Sequence, residues 1–128
     1  MDFSKAINLY DIGEECFYNC TGLTSIDLSK AITLGRLSRS CFEGCTNLAS
    51  IVIPNYIQND EPLFMRTSCF AGCINLNSIT CLAMVAPNIL NAFGDSTDTY
   101  TGYNTKPNVL KIPTGATGYD TGYWSDPL

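Results

Sequence analysis

The amino-acid sequence predicts a single α/β domain, a solenoid of about four coils in which each coil is one short strand plus one short helical turn. Three observations carry this. The motif Cys-Phe-x-x-Cys occurs at residues 16–20, 41–45 and 69–73, each time followed by Leu-x-x-Ile. Twelve residues (Ser4, Lys5, Ala6, Ile7, Leu9, Cys16, Phe17, Cys20, Thr21, Leu23, Ser25 and Ile26) recur unchanged 25 positions on, and most are apolar. Within one unit the apolar spacing switches from that of a helix to that of a strand. A fixed period of this length means that each unit is one coil, whose core is completed by its neighbours.

In the first unit the apolar residues Ile12, Cys16, Phe17 and Cys20 are spaced four, one and three apart, the pattern of one helical face. Glu14 and Glu15 would sit at the positive N-terminal end of that turn. In "LTSIDLS" Leu23, Ile26 and Leu28 are expected to point inward, with Ile26 and Leu28 alternating with Ser25, Asp27 and Ser29 at the period of a strand. The next copy repeats this at 25 residues and the third at 28, with three extra residues absorbed in "QNDEPLF". A fourth, degenerate unit has Ala92-Phe93 in the Cys-Phe place, a polar insertion at 94–108, and "VLKIP" as its strand. The expected units are 3–27, 28–52, 53–80 and 81–113, with a C-terminal cap at 114–128.

The cysteines are expected to line the interior. Cys16/Cys20, Cys41/Cys45 and Cys69/Cys73 lie four apart on the helical face, and a free cysteine behaves as a small buried hydrophobe beside Phe17, Phe42 and Phe70. Zinc is the competing reading, but ligands spread one pair per coil run along the axis, and the chain has no histidine. Disulfides are a second competitor, although seven cysteines cannot all pair.

Composition narrows the function. A net charge of −5 repels phosphate backbones and anionic lipid, so neither nucleic acid nor a membrane surface is an expected partner. No run approaches the ~20 apolar residues that span a bilayer. The opening "MDFSKAINLYDIGEE" lacks the basic end and apolar run of a secretory signal. Without histidine there is no imidazole base for a triad, and the neighbouring carboxylates Glu14/Glu15 and Asp60/Glu61 diverge rather than flank one bond. No catalytic residue, cofactor or metal is assigned. "GYDTGYW" is no phosphate loop, Asp95 and Asp98 depart from calcium-loop spacing, and the Asn19 sequon is followed by a cysteine expected inside.

The repeat resembles the BspA-type leucine-rich repeat family, whose units are similar to "I-G-x-x-A-F-x-G" followed by "C-x-x-L-x-x-I-x-I-P". The residues that carry the likeness are "IGEECFYNCTGLTSIDL", "LSRSCFEGCTNLASIVIP", "SCFAGCINLNSITCL" and "LKIP", and "LKIPTGATGYDTGYW" resembles the closing end of such arrays. Cys16, Cys41 and Cys69 stand where the family usually has Ala, and Cys81 where it has Ile or Val. The resemblance implies a surface or secreted protein of the kind found in host-associated anaerobic bacteria and some protozoa, with roles in adhesion to host matrix proteins and to other cells.

The expected contact surface is the outward side of the stacked strands, reading Ser25/Ser50/Ser78/Val109 and Asp27/Val52/Thr80/Lys111. A flat, small, polar face suits a protein or glycan better than a small molecule, which needs an enclosed pocket; the other reading is that it is simply solvated. Tyr100, Tyr103, Tyr119, Tyr123 and Trp124 crowd the C-terminal quarter, as cap or as binding anchors, with the cap favoured because the last coil must be covered. At the other end Phe3 and Ile7 already hold repeat positions, so this end is expected to be either the cut face of a longer array or a surface for self-association through the first coil.

Overall fold

The computed structural model describes residues 2–56, 61–90, 92–93 and 109–119. Eight short strands follow one another along the chain: β1 (Asp11–Ile12), β2 (Ser25–Asp27), β3 (Arg36–Leu37), β4 (Ser50–Ile53), β5 (Phe64–Met65), β6 (Ser78–Cys81), β7 (Asn88–Ile89) and β8 (Val109–Lys111). They form two four-stranded sheets, β1-β3-β5-β7 and β2-β4-β6-β8. Every pairing is parallel. The chain thus alternates between sheets, which is how a solenoid closes each coil.

Register follows the sequence repeat. Ile26 pairs with Ile51, Ile51 with Ile79, and Ile79 with Leu110. In the other sheet Ile12 pairs with Leu37, Leu37 with Met65 and Met65 with Ile89. Strands in parallel register stack like residues on like, so a one-residue slip would turn each apolar row outward. Ile26, Ile51, Ile79, Leu37 and Met65 are buried, and Ile12 of β1, Ile53 of β4 and the intervening Leu28, Leu34 and Leu48 join the same core. Down its centre run stacked rings: Phe17 on Phe42 at 5.2 Å, Phe42 on Phe70 at 5.4 Å, and Phe70 on Phe93 at 5.4 Å.

Each expected helical turn is absent: among the described residues there is no helix. The segment 13–20 is instead a string of turns in which backbone donors alternate. Cys16, Tyr18 and Cys20 donate three residues back, to Gly13, Glu15 and Phe17, whereas Glu15, Phe17 and Asn19 donate sideways to Arg39, Cys41 and Glu43 of the next coil. An α-helix would direct every donor beyond its first turn four residues back within its own segment, with none alternating sideways. Here half of them bind coil to coil, so the turns act as a third ladder beside the two sheets. The geometry requires a left-handed residue every few positions: Glu15 (φ 54°), Asn19 (56°), Ser40 (54°), Gly44 (75°), Ser68 (60°) and Gly72 (72°). With no helix, Glu14 and Glu15 have no helix end to stabilise.

The ends differ from the middle. Phe17, Cys20 and Leu23 are half-buried, whereas their counterparts Phe42, Cys45 and Leu48 are buried. Cys16, expected inside, is exposed, while Cys41 and Cys69 are buried. The physical reason is that the first coil has a neighbour on one side. Phe3 meets Phe17 edge-on, with centroids 6.4 Å apart at 78°, and gives part of the missing cover. At the far end Val85 bridges to Thr117, and Tyr119 is buried with its hydroxyl donating to the Ala83 carbonyl at 3.0 Å. The insertion at 94–108, with Asp95, Asp98, Tyr100 and Tyr103, lies outside the described residues, as do Asp60, Tyr123 and Trp124.

Candidate interaction surface

The second sheet sets its alternate residues outward in two rows. One row is Ser25, Ser50 and Ser78, and the other is Asp27, Val52, Thr80 and Lys111, in the register of the Cα pairing. Ser25, Asp27 and Lys111 are exposed, and Ser50, Val52, Ser78 and Thr80 are half-buried by their neighbours within the row. Parallel strands lie ~4.8 Å apart, so the Asp27 row spans about 14 Å across four strands, with a carboxylate at one end and an ammonium at the other. Asp27 is held in place by accepting the Ser29 backbone N–H at 2.9 Å. Hydrogen bonds from Ser29, side chain and backbone, hold its carboxyl below the ordinary value. It therefore stays charged across the neutral range.

The first sheet presents a face that sequence reasoning missed. Its outward row is Asp11, Arg36, Phe64 and Asn88. Arg36 Nη2 lies 2.6 Å from Asp11 Oδ2, Ser38 Oγ donates to Asp11 Oδ1 at 2.8 Å, and the Arg66 guanidinium sits 5.6 Å from the Phe64 ring centre. Arg39 and Glu14 approach to 4.0 Å nearby. These charges already have partners on their own surface, so a ligand here must displace an ion pair. The signal in the sequence was small: the pairs Asp11-Ile12, Arg36-Leu37, Phe64-Met65 and Asn88-Ile89, each with the apolar residue second.

Two parallel sheets in register, coiled at a period of 25 and 28 residues, match a known repeat: the family model for a BspA type leucine-rich repeat region fits residues 2–116 in six copies. The chain belongs to the BspA-type leucine-rich repeat family. Nothing among curated proteins or solved structures matches it.

In this BspA-type chain the thiols form two rows along the axis. Cys45 Sγ donates to the Phe17 carbonyl and Cys73 Sγ to the Phe42 carbonyl, each at 3.2 Å. In the other row Cys41 Sγ and Cys69 Sγ are 3.1 Å apart. Burial and the neighbouring thiol push Cys69 well above the ordinary thiol range, and burial pushes Cys81 up to about 12 despite the Tyr119 hydroxyl beside it. Such thiols are poor nucleophiles, so Cys69 and Cys81 are packing elements in the reduced chain. The described residues contain no group of three or more side chains suited to a metal, and no helix long and apolar enough to cross a membrane.

Proposed function

We propose that this domain is a non-catalytic interaction module of a bacterial cell-surface, adhesin-like protein, and that its partner is a protein or a glycan bound on the second sheet. The residues that meet the partner are Ser25, Asp27, Ser50, Val52, Ser78, Thr80 and Lys111. Leucine-rich repeats of this family generally serve as protein-interaction modules and are generally non-catalytic. The observation that carries the assignment to this face is its composition: mostly small residues in unbroken register and, among the described residues, none of the ion pairs that occupy the first sheet. Among the described residues a partner meets no charge pair to break. Since a stable contact needs ~800 Å² per side, the footprint must reach past the strands to exposed apolar residues at their ends. Ile74, Leu82 and Met84 are exposed next to β6.

Binding of the purified chain to immobilised matrix proteins and to a glycan panel tests this reading. Saturable binding that falls at least tenfold in Val52→Glu and Thr80→Glu, and is unchanged in Arg36→Glu, supports it. No saturable binding to either class, or a loss in Arg36→Glu alone, sinks it.

A second reading is favoured by the half-buried Phe3, Leu9, Phe17 and Leu23 of the first coil, which leave apolar surface and strand edges open. On this reading the solenoid is structural and self-associates through that coil. Sedimentation would then show concentration-dependent association, weakened by Phe3→Asp and unaffected by changes on the second sheet.

A further inference from the structure

The two thiol rows are not equivalent. Cys45 and Cys73 also lie within thiol-to-thiol reach of each other, but each donates its S–H to a carbonyl of the preceding coil at 3.2 Å. Cys41 and Cys69 have each other, with sulfurs 3.1 Å apart inside the core. The backbone on either side is clamped at strand spacing, by Ser40 N–H donating to Thr67 at 3.1 Å and Phe42 N–H donating to Cys69 at 2.9 Å. A disulfide requires Cα atoms roughly 4.4–6.8 Å apart, and stacked coils at ~4.8 Å fall inside that range. On the far side of Cys69 the row continues with Ala92, whose carbonyl receives the Phe70 N–H at 2.7 Å. Cys69 therefore has a single thiol neighbour in its row. The other neighbour of Cys41 is Cys16, which is exposed on the end coil.

We propose that Cys41 and Cys69 are an oxidisable pair that closes an inter-coil disulfide when the chain folds in the presence of a disulfide oxidant such as oxidised glutathione. One cysteine thiolate attacks a sulfur of the oxidant, forms a mixed disulfide and releases one glutathione thiolate. The second cysteine thiolate attacks the protein sulfur of that mixed disulfide, so the Sγ–Sγ bond forms as the second glutathione leaves. Two electrons pass from the cysteines to the oxidant, and the two thiol protons end on the released glutathiones. Both sulfurs are buried in the folded chain, so exchange occurs while the coils are still open. The bond ties the second coil to the third across a 28-residue step (69 − 41 = 28). It rests on the thiol geometry alone and stands whatever the chain binds.

The test is to refold the reduced, denatured chain in a glutathione redox buffer, block free thiols with an alkylating reagent, and map the peptides. The expected product is two hydrogens lighter, carries five blocked cysteines (7 − 2 = 5), and yields one linked peptide joining Cys41 to Cys69. Cys16→Ser, at an exposed position, should form the same bridge, and its urea midpoint should rise on oxidation. No bridge in either chain, with seven blocked cysteines in the parent and six in Cys16→Ser (7 − 1 = 6), or a bridge that includes Cys16 or Cys20, would overturn the proposal.

Discussion

The ring of Phe42 lies 5.4 Å from that of Phe70 and within 5° of parallel to it. The two residues are 28 apart in sequence and occupy the same position of successive coils. With Phe17 and Phe93 they make a continuous stack, so removing one inner ring opens a cavity bounded by two others. Phe42→Ala should cost ~3–5 kcal/mol, and the same change at the half-buried Phe17 clearly less. Urea unfolding of both variants checks this, and equal losses would mean that Phe17 is as well covered as Phe42.

Ser68 combines two costs. It holds φ at 60°, and its buried hydroxyl finds no hydrogen-bond partner. A non-glycine residue in this region costs about 1 kcal/mol or more, and an unsatisfied buried hydroxyl about as much. Ser68→Gly should stabilise the chain by ~1 kcal/mol after the added chain entropy is counted, and Ser68→Ala by less, because it removes only the hydroxyl. Gly44 should respond in the opposite sense. It has φ 75°, and a Cβ there would strike the Asn19 side-chain oxygen, so Gly44→Ala should destabilise by roughly 1–3 kcal/mol. Thermal midpoints of the three variants order them.

This position shows why part of the fold was hidden in the sequence. The second sheet was legible because Ile26, Ile51 and Ile79 fall on one another at the repeat spacing and alternate with polar residues. The first sheet was not, since two-residue strands such as Arg36–Leu37 are too short to show a period of two. The turn ladder imitated a helix because Ile12, Cys16, Phe17 and Cys20 carry helical spacing. Glycine at 44 and 72 and asparagine at 19 hint at left-handed backbone, but nothing in the residue types at Glu15, Ser40 and Ser68 does, and Glu15 and Ser40 are held there by hydrogen bonds between coils. The exposure of Cys16 was hidden for another reason: it depends on what stacks beside the first coil. On the candidate face, sequence spacing placed Ser25, Ser50 and Ser78 in one row, but it gave no sign of the Asp11–Arg36 pair on the opposite sheet.

Thiol labelling of the reduced, native chain should separate the cysteines by coil. Cys16 is exposed and should react first, with Cys20 following, whereas Cys41, Cys69, Cys73 and Cys81 should label only as fast as the chain opens. Denaturant should bring all of them to similar rates. Rapid native labelling of Cys41 or Cys69 would contradict the stacked interior.

Acid should weaken the first sheet through Asp11. Burial raises its carboxyl, but hydrogen bonds from Arg36 and Ser38, with the charge of Arg36, outweigh that and hold it below the ordinary 3.8. A carboxylate whose folded value is depressed stabilises the fold above its unfolded value, and this contribution disappears as pH falls through the folded one. The partners are half exposed, so the loss should be ~1 kcal/mol or less. Urea midpoints of the parent and Asp11→Asn should therefore converge on going from pH 6 to below pH 3. A constant gap between them would show that the carboxylate contributes nothing to folding.

Stacking of coils in register is tested most directly by through-space proton contacts in a nuclear magnetic resonance spectrum of the labelled chain. Backbone contacts should link Ile26 to Ile51, Ile51 to Ile79, Leu37 to Met65, and the Glu15 and Phe17 amides to the coil carrying Arg39 and Cys41. The segments 13–20, 38–45 and 66–73 should give no run of helical amide-to-amide contacts. Helical runs in those segments, or contacts displaced by one residue in either sheet, would contradict the two-sheet solenoid and with it the face proposed for binding.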